Sequence, residues 1–176
     1  DLITKSLLFR KSNLYEEKMH RTLKTFLPAK IIDNYIDGNK EIHNSIGEQR
    51  DVAILIADIR NFTAITEKIE PENTVSFLNM YFSKMGNIIQ KHGGIIDKFM
   101  GDAIMALFGA IDSYDNNGKR AAIAAIEMQE EIKNLDTSIL QLNDDEEFKV
   151  GIGIHYGTPV VGSIGSNEKK EFTVIG

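Results

Sequence analysis

The sequence predicts an α+β fold built on a split βαβ sheet, and three features predict it. "DVAILIAD", Asp51 to Asp58, is a continuous apolar run of strand length, as expected of a strand buried on both faces. Two amphipathic helical stripes follow it. Between them lies "GGIIDKFMGDAIMALFG", residues 93 to 109, two short apolar runs joined by a Gly-Asp pair, which reads as an antiparallel hairpin. Strand, helix, hairpin, helix, strand is the order of a ferredoxin-like sheet with its helices on one face.

Ahead of that unit, residues 1–45 read as an N-terminal helical extension. Leu8, Tyr15, Met19 and Phe26 form a partial heptad seam, compatible with a surface helix or with a parallel coiled coil. Pro28 ends it, and a short helix around "AKIIDNYI" follows, stopping near Gly38. Residues 46–176 form the second domain. After the first strand comes a polar turn, then a helix from about Glu72 with Pro71 near its start and Val75, Leu78, Phe82, Met85 and Ile89 as its stripe. Gly93 closes that helix. The second helix carries Ala121, Ala125, Met128, Ile132 and Leu135, and the acidic loop "NDDEE" leads into the strand "FKVGIGIHYG", whose glycines indicate close backbone approach. "GTPVVGSIG" is a further turn and strand, and "EFTVIG" begins one more.

Composition narrows the function. The 42% apolar and 26% charged residues are those of a soluble globular chain, and a net charge of −6 argues against a nucleic-acid surface. Cysteine is absent, which removes disulfides, zinc thiolates and thiol nucleophiles. The longest apolar run, "VAILIA", falls far short of the roughly 20 residues of a membrane span, and no signal peptide pattern opens the sequence.

The hairpin is where chemistry enters. In a split βαβ sheet the first strand and the hairpin are neighbours, so Asp58 at the strand end and Asp102 at the turn can reach one sheet edge. Two such carboxylates repel unless a cation lies between them, and hard oxygen ligands suit Mg²⁺ or Mn²⁺. Gly-Asp is also ordinary turn chemistry, and an aspartate after a strand can cap a helix, so spacing alone leaves both readings open. Asn61, Phe62 and Thr63 lie where the chain turns into a helix. Their backbone N–H groups could cradle phosphate oxygens, or Asn61 or Thr63 could simply cap.

"ILIADIRNFTAITE", "HGGIIDKFMGDAIMALFG", "VGIGIHYGTPVVGSIGS" and "FTVIG", in that order and at these separations, resemble the catalytic domain of class III nucleotidyl cyclases, the adenylate and guanylate cyclases. The resemblance runs from about Asp51 to Gly176 and is closest to bacterial-type adenylate cyclases. It implies a lyase that converts ATP to 3′,5′-cyclic AMP and pyrophosphate in intracellular signalling. Two divalent cations, Mg²⁺ or Mn²⁺, would be held by Asp58, Asp102 and the backbone carbonyl of Ile59. Lys98 stands where adenylate cyclases carry lysine and guanylate cyclases glutamate, with Thr173 as its base-reading partner. An ammonium only donates, so it meets the N1 acceptor of adenine and not the N1–H of guanine.

The family builds its sites between two domains, so one chain with both residue sets implies a head-to-tail homodimer. It also implies an upstream regulatory domain, acting through the N-terminal helix, and a cytoplasmic location compatible with a membrane tether ahead of Asp1. The family pattern continues past "FTVIG" to an asparagine and an arginine, so the domain reads as truncated at its C-terminal end. Guanylate cyclase activity on the same scaffold is one alternative. A catalytically silent dimerisation module is the other; the missing segment favours it, while retention of Asp58, Asp102 and Lys98 argues against it.

Overall fold

The structure is a computed structural model that describes residues 14, 17–19, 22, 47–112, 115–143, 146–166 and 168–176. The chain divides into two compact units, Asp1–Ser45 and Ile46–Gly176. In the first, Leu14, Glu17, Lys18, Met19 and Thr22 are helical. Leu8, Tyr15 and Phe26 of the expected heptad seam, and the short helix at "AKIIDNYI", lie outside the described residues.

The second unit runs β1 (Glu48–Gln49), β2 (Val52–Ile59), α1 (Phe62–Thr66), α2 (Pro71–Lys91), β3 (Gly94–Met100), β4 (Ala103–Phe108), α3 (Asn117–Ile132), a 3₁₀ turn (Ser138–Leu140), β5 (Val150–Gly157), β6 (Val160–Gly165) and β7 (Lys170–Ile175). Strands β3-β4-β2-β5 form a four-stranded sheet, antiparallel at every pairing. This is the expected ferredoxin-like order, with the first strand in the middle and the hairpin beside it. A second, three-stranded antiparallel sheet, β1-β6-β7, adds to that frame.

Side chains alternate along β2. Ala53, Leu55, Ala57 and Ile59 turn toward the helices, into a core with Phe77, Tyr81, Met85, Met128 and Phe148. Val52 and Ile54 turn the other way and pack with Leu107, Val161, Phe172 and Val174, where the second sheet lies. That cover is partial, and Ile56 is 41% exposed. The expectation of a strand buried on both faces therefore holds for only part of its length.

Pro71 opens α2, where its missing N–H costs nothing, and Gly93 follows its end with φ of 77°. The inward residues of α2 are Phe77, Tyr81, Met85, Ile88 and Ile89. Leu78 and Phe82 flank this stripe and Val75 is exposed, so the buried face is rotated from the expected one. On α3 the buried residues are Asn117, Ala121, Ala124, Met128 and Ile132, with the expected Ala125 only partly buried, while Leu135 is buried beyond the helix end. Outside the core the two helices are tied by Lys84–Glu131 and by Lys91 and His92, each 2.7 Å from Glu127. Among the described residues no helix is long and apolar enough to cross a membrane.

Candidate active site

Asp58 is the penultimate residue of β2 and lies directly across from Gly151 of β5. On its other side the ladder to β4 ends at Ala57 and Ile104, one step before the β3–β4 turn that holds Asp102. Gly101 makes that turn with φ of 66°, a conformation that side chains resist. The topology thus brings two carboxylates, 44 positions apart in sequence, to one sheet edge. Burial and then the facing Asp58 carboxylate push the Asp102 carboxyl up, while the backbone N–H groups of Asp102 and Ile59 favour its ionised form.

These residues fit a divalent cation. Two carboxylates act on one another, and the Ile59 backbone lies beside them. Among the described residues no three His, Cys, Asp or Glu side chains converge, so a bound ion would be completed by backbone, water or ligand oxygens. On the helix side, Tyr81 is fully buried and its hydroxyl has no hydrogen-bond partner among the described residues. Burial, then Asp102 and Asp58, raise its phenol far above the ordinary value.

Of the β5 glycines, Gly151 makes room for a side chain rather than for the backbone approach expected of it. A Cβ at Gly151 would run into the Arg60 guanidinium, which lies over the residue opposite Asp58, whereas the space at Gly153 is open. Arg60 also shares an open cleft with Gln129, Lys133, Glu147 and Lys149.

Asn61 precedes α1 with φ of 58° and makes no side-chain capping bond. Phe62 packs its ring against the core. Thr63, in the first turn, is exposed. Simple side-chain capping by Asn61 is thereby removed as the reason for these residues.

Lys98 and Thr173 come together through a third residue. The Thr173 hydroxyl donates to Asp97 Oδ2 at 2.9 Å, and Lys98 Nζ lies 3.5 Å from the same oxygen and 3.3 Å from Glu171. Partial burial alone would lower the Lys98 ammonium, but Asp97 and Glu171 hold it above its ordinary value. The β3–β4 register shifts between Ile96 and Lys98, a bulge at Asp97. Lys98 lies two residues before the end of β3, and Asp102 is in the turn that follows.

Asp97, Arg60 and Tyr81 escaped the sequence reading as site residues. Arg60 had a signal in its position just past the strand and in the glycines of "VGIGIHYG"; Tyr81 read as one more apolar helix residue. Asp97 is legible in the sequence only as a salt-bridge partner for Lys98, which the structure shows; its bond to Thr173 is not, because alternation assigns Asp97 and Lys98 to opposite faces.

The chain matches the family described as the adenylate and guanylate cyclase catalytic domain over residues 45–176. It is 39% identical to an adenylate cyclase of Anabaena cylindrica across 90% of this chain and 32% of that protein. It is 31% identical to adenylate cyclase 1 of Rhizobium meliloti across 73% of this chain and 19% of that protein. The chain thus spans about a third or less of these relatives' length. Among solved structures, the guanylyl cyclase Cya2 superposes with a TM-score of 0.67 at 41% identity, covering 74% of this chain and 66% of that one. A bacterial light-regulated adenylyl cyclase gives 0.78 at 28% identity, over 96% of this chain and 48% of that one. With the metal-suited carboxylates at the sheet edge and a family match across the whole second unit, this chain belongs to the class III adenylate and guanylate cyclase catalytic-domain family.

Proposed function

We propose that the chain is the catalytic part of an adenylate cyclase, closing ATP to 3′,5′-cyclic AMP at an interface between two copies. The observation that carries this reading is the meeting of Asp58 and Asp102 at one edge, with the adenine-type lysine, Lys98, on the same hairpin. In the reaction the ribose 3′ oxygen bonds to the α-phosphorus, the bond to the bridging oxygen breaks, the 3′ proton is lost and pyrophosphate leaves. Asp58, Asp102 and the Ile59 carbonyl would hold two divalent cations, Mg²⁺ or Mn²⁺. Cations bound there lower the pKa of the 3′ hydroxyl and neutralise the triphosphate. The backbone at Asn61, Phe62 and Thr63 orients phosphate oxygens at the start of α1. Lys98 donates to N1 of adenine and Thr173 reads the neighbouring 6-position.

The carboxylates lie at the β3–β4 turn and the end of β2, while Lys98 and Thr173 meet at Asp97 beside β7; a head-to-tail homodimer would let one copy hold the phosphates while the other reads the purine. The exposed apolar side chains Ile56 and Met100, on the face that carries Asp58, support such an interface. Residues 1–45 would relay the state of an upstream regulatory domain on the cytoplasmic side. Turnover of ATP and GTP by the full-length protein, with an Asp58→Ala control, tests the proposal. Cyclic AMP from the intact protein alone is the expected result; its absence overturns the reading. The 41% identity to the guanylyl cyclase Cya2 favours a second reading, and faster turnover of GTP than of ATP would establish it.

A further inference from the structure

We propose that Asp97 sets base choice by fixing the Thr173 hydroxyl as a hydrogen-bond acceptor toward the purine, an inference that rests on the cyclase reading above. A threonine hydroxyl is by itself ambivalent. It can accept from the 6-amino group of adenine or donate to the 6-oxo group of guanine. Here the hydroxyl hydrogen is committed, since Thr173 Oγ1 donates to Asp97 Oδ2 at 2.9 Å. An ionised carboxylate accepts only, so the lone pairs of Thr173 are what remain for a base. Guanine would then meet two mismatches, its N1–H against the Lys98 ammonium and its 6-oxo oxygen against the Thr173 lone pairs.

The backbone is built for this contact. In a regular strand Asp97 and Lys98 would point to opposite faces. The bulge between Ile96 and Lys98 lets both reach β7, where Thr173 and Glu171, two residues apart, receive them. The placement is costly. The Asp97 side chain is 1% exposed, and its Oδ1 is buried without a hydrogen-bond partner among the described residues. A carboxylate kept in that state for packing alone would be a poor choice, since a serine or an apolar residue could fill the space without the desolvation penalty. Lys98, 3.5 Å away, offsets part of the charge. Asp97 is thus a positioning residue, acting on the base through Thr173.

The test compares kcat/KM for ATP and GTP in the full-length protein and in Asp97→Asn. An asparagine amide can donate to Thr173 Oγ1 and free its hydrogen for a 6-oxo group, so the ATP preference should fall about 10-fold, because a mispaired polar group is what rejects the wrong substrate. In a Thr173→Val background, adding Asp97→Asn should change the ratio no further. An unchanged ratio in Asp97→Asn with cyclic AMP formation intact, or an equal change in both backgrounds, overturns the inference and leaves the cyclase reading standing. Should Asp97→Asn fail to fold, the unaltered protein decides with purine riboside triphosphate, which keeps N1 and lacks the 6-amino group. A kcat/KM about 10-fold below that of ATP supports the acceptor role, and equality overturns it. No cyclic nucleotide from any of these substrates with the unaltered protein removes the cyclase reading, and this inference with it.

Discussion

The helix side of the four-stranded sheet and the edge that carries Asp58 and Asp102 handle charge in opposite ways. On the helix side, Lys84 meets Glu131, and Lys91 and His92 meet Glu127, so charges between α2 and α3 are matched where they emerge from the core. At the edge, the Asp58 carboxylate raises the Asp102 carboxyl, and the Tyr81 hydroxyl is buried with no hydrogen-bond partner among the described residues. One region is arranged for the stability of the chain alone. The other sets like charges against one another, which is what the proposed cation site calls for.

The comparison breaks most sharply at the carboxylates. Asp58→Ala or Asp102→Ala should cut nucleotide turnover at least about 100-fold, the upper end of what outer-shell partners are worth, without loss of cooperative melting. In metal-free protein Asp102→Asn should raise the melting temperature, because it removes one of two facing charges, and that gain should shrink when Mn²⁺ is added to the parent.

Glycines separate the two regions next. A Cβ at Gly94 would meet the buried rings and methyls of Phe108 and Ile89, so Gly94→Ala should destabilise by about 1–3 kcal/mol in denaturant unfolding. A Cβ at Gly151 would meet only the end of the flexible Arg60 side chain. Gly151→Ala should therefore alter stability by no more than about 0.5 kcal/mol while displacing Arg60, with the loss appearing in turnover. Tyr81→Phe deletes a buried hydroxyl that has no hydrogen-bond partner among the described residues and should leave stability within about 1 kcal/mol of the parent or improve it.

The smallest effect lies on the helix side. Lys91 and then His92 hold Glu127 below its ordinary value of 4.5. A depressed folded value means that its contribution is fully present above 4.5 and is lost as pH falls through the folded value. The melting-temperature difference between the parent and Glu127→Gln should be small at pH 7 and should close as the pH is lowered below 4.5.

Much of the frame was legible because binary pattern specifies it. The apolar runs of β2, β3 and β4 and the stripe of α2 fix the ferredoxin-like order, and the family resemblance adds the roles of Asp58 and Asp102. The rotation of α2 was not legible. Phe77, Tyr81, Met85 and Ile88 recur at helical spacing as well as Val75, Leu78, Phe82 and Met85 do, so a wide apolar arc does not say which edge faces inward. The second sheet was hidden because β1 has only two residues. The Asp97 bulge was hidden for a stronger reason: a register shift leaves no trace in alternation, so Asp97 was legible as an ion-pair partner of Lys98 and not as the residue joining it to Thr173.

That irregular step in β3 bears on how such domains exchange substrate preference. Because the ladder loses its rhythm at one residue, the orientation of the lysine belongs to the local chain path as much as to the amino acid. On the proposed reading, an even strand would turn the lysine to the opposite face. Transplanting nucleotide preference between relatives would then mean moving the whole kinked hairpin together with its partner strand.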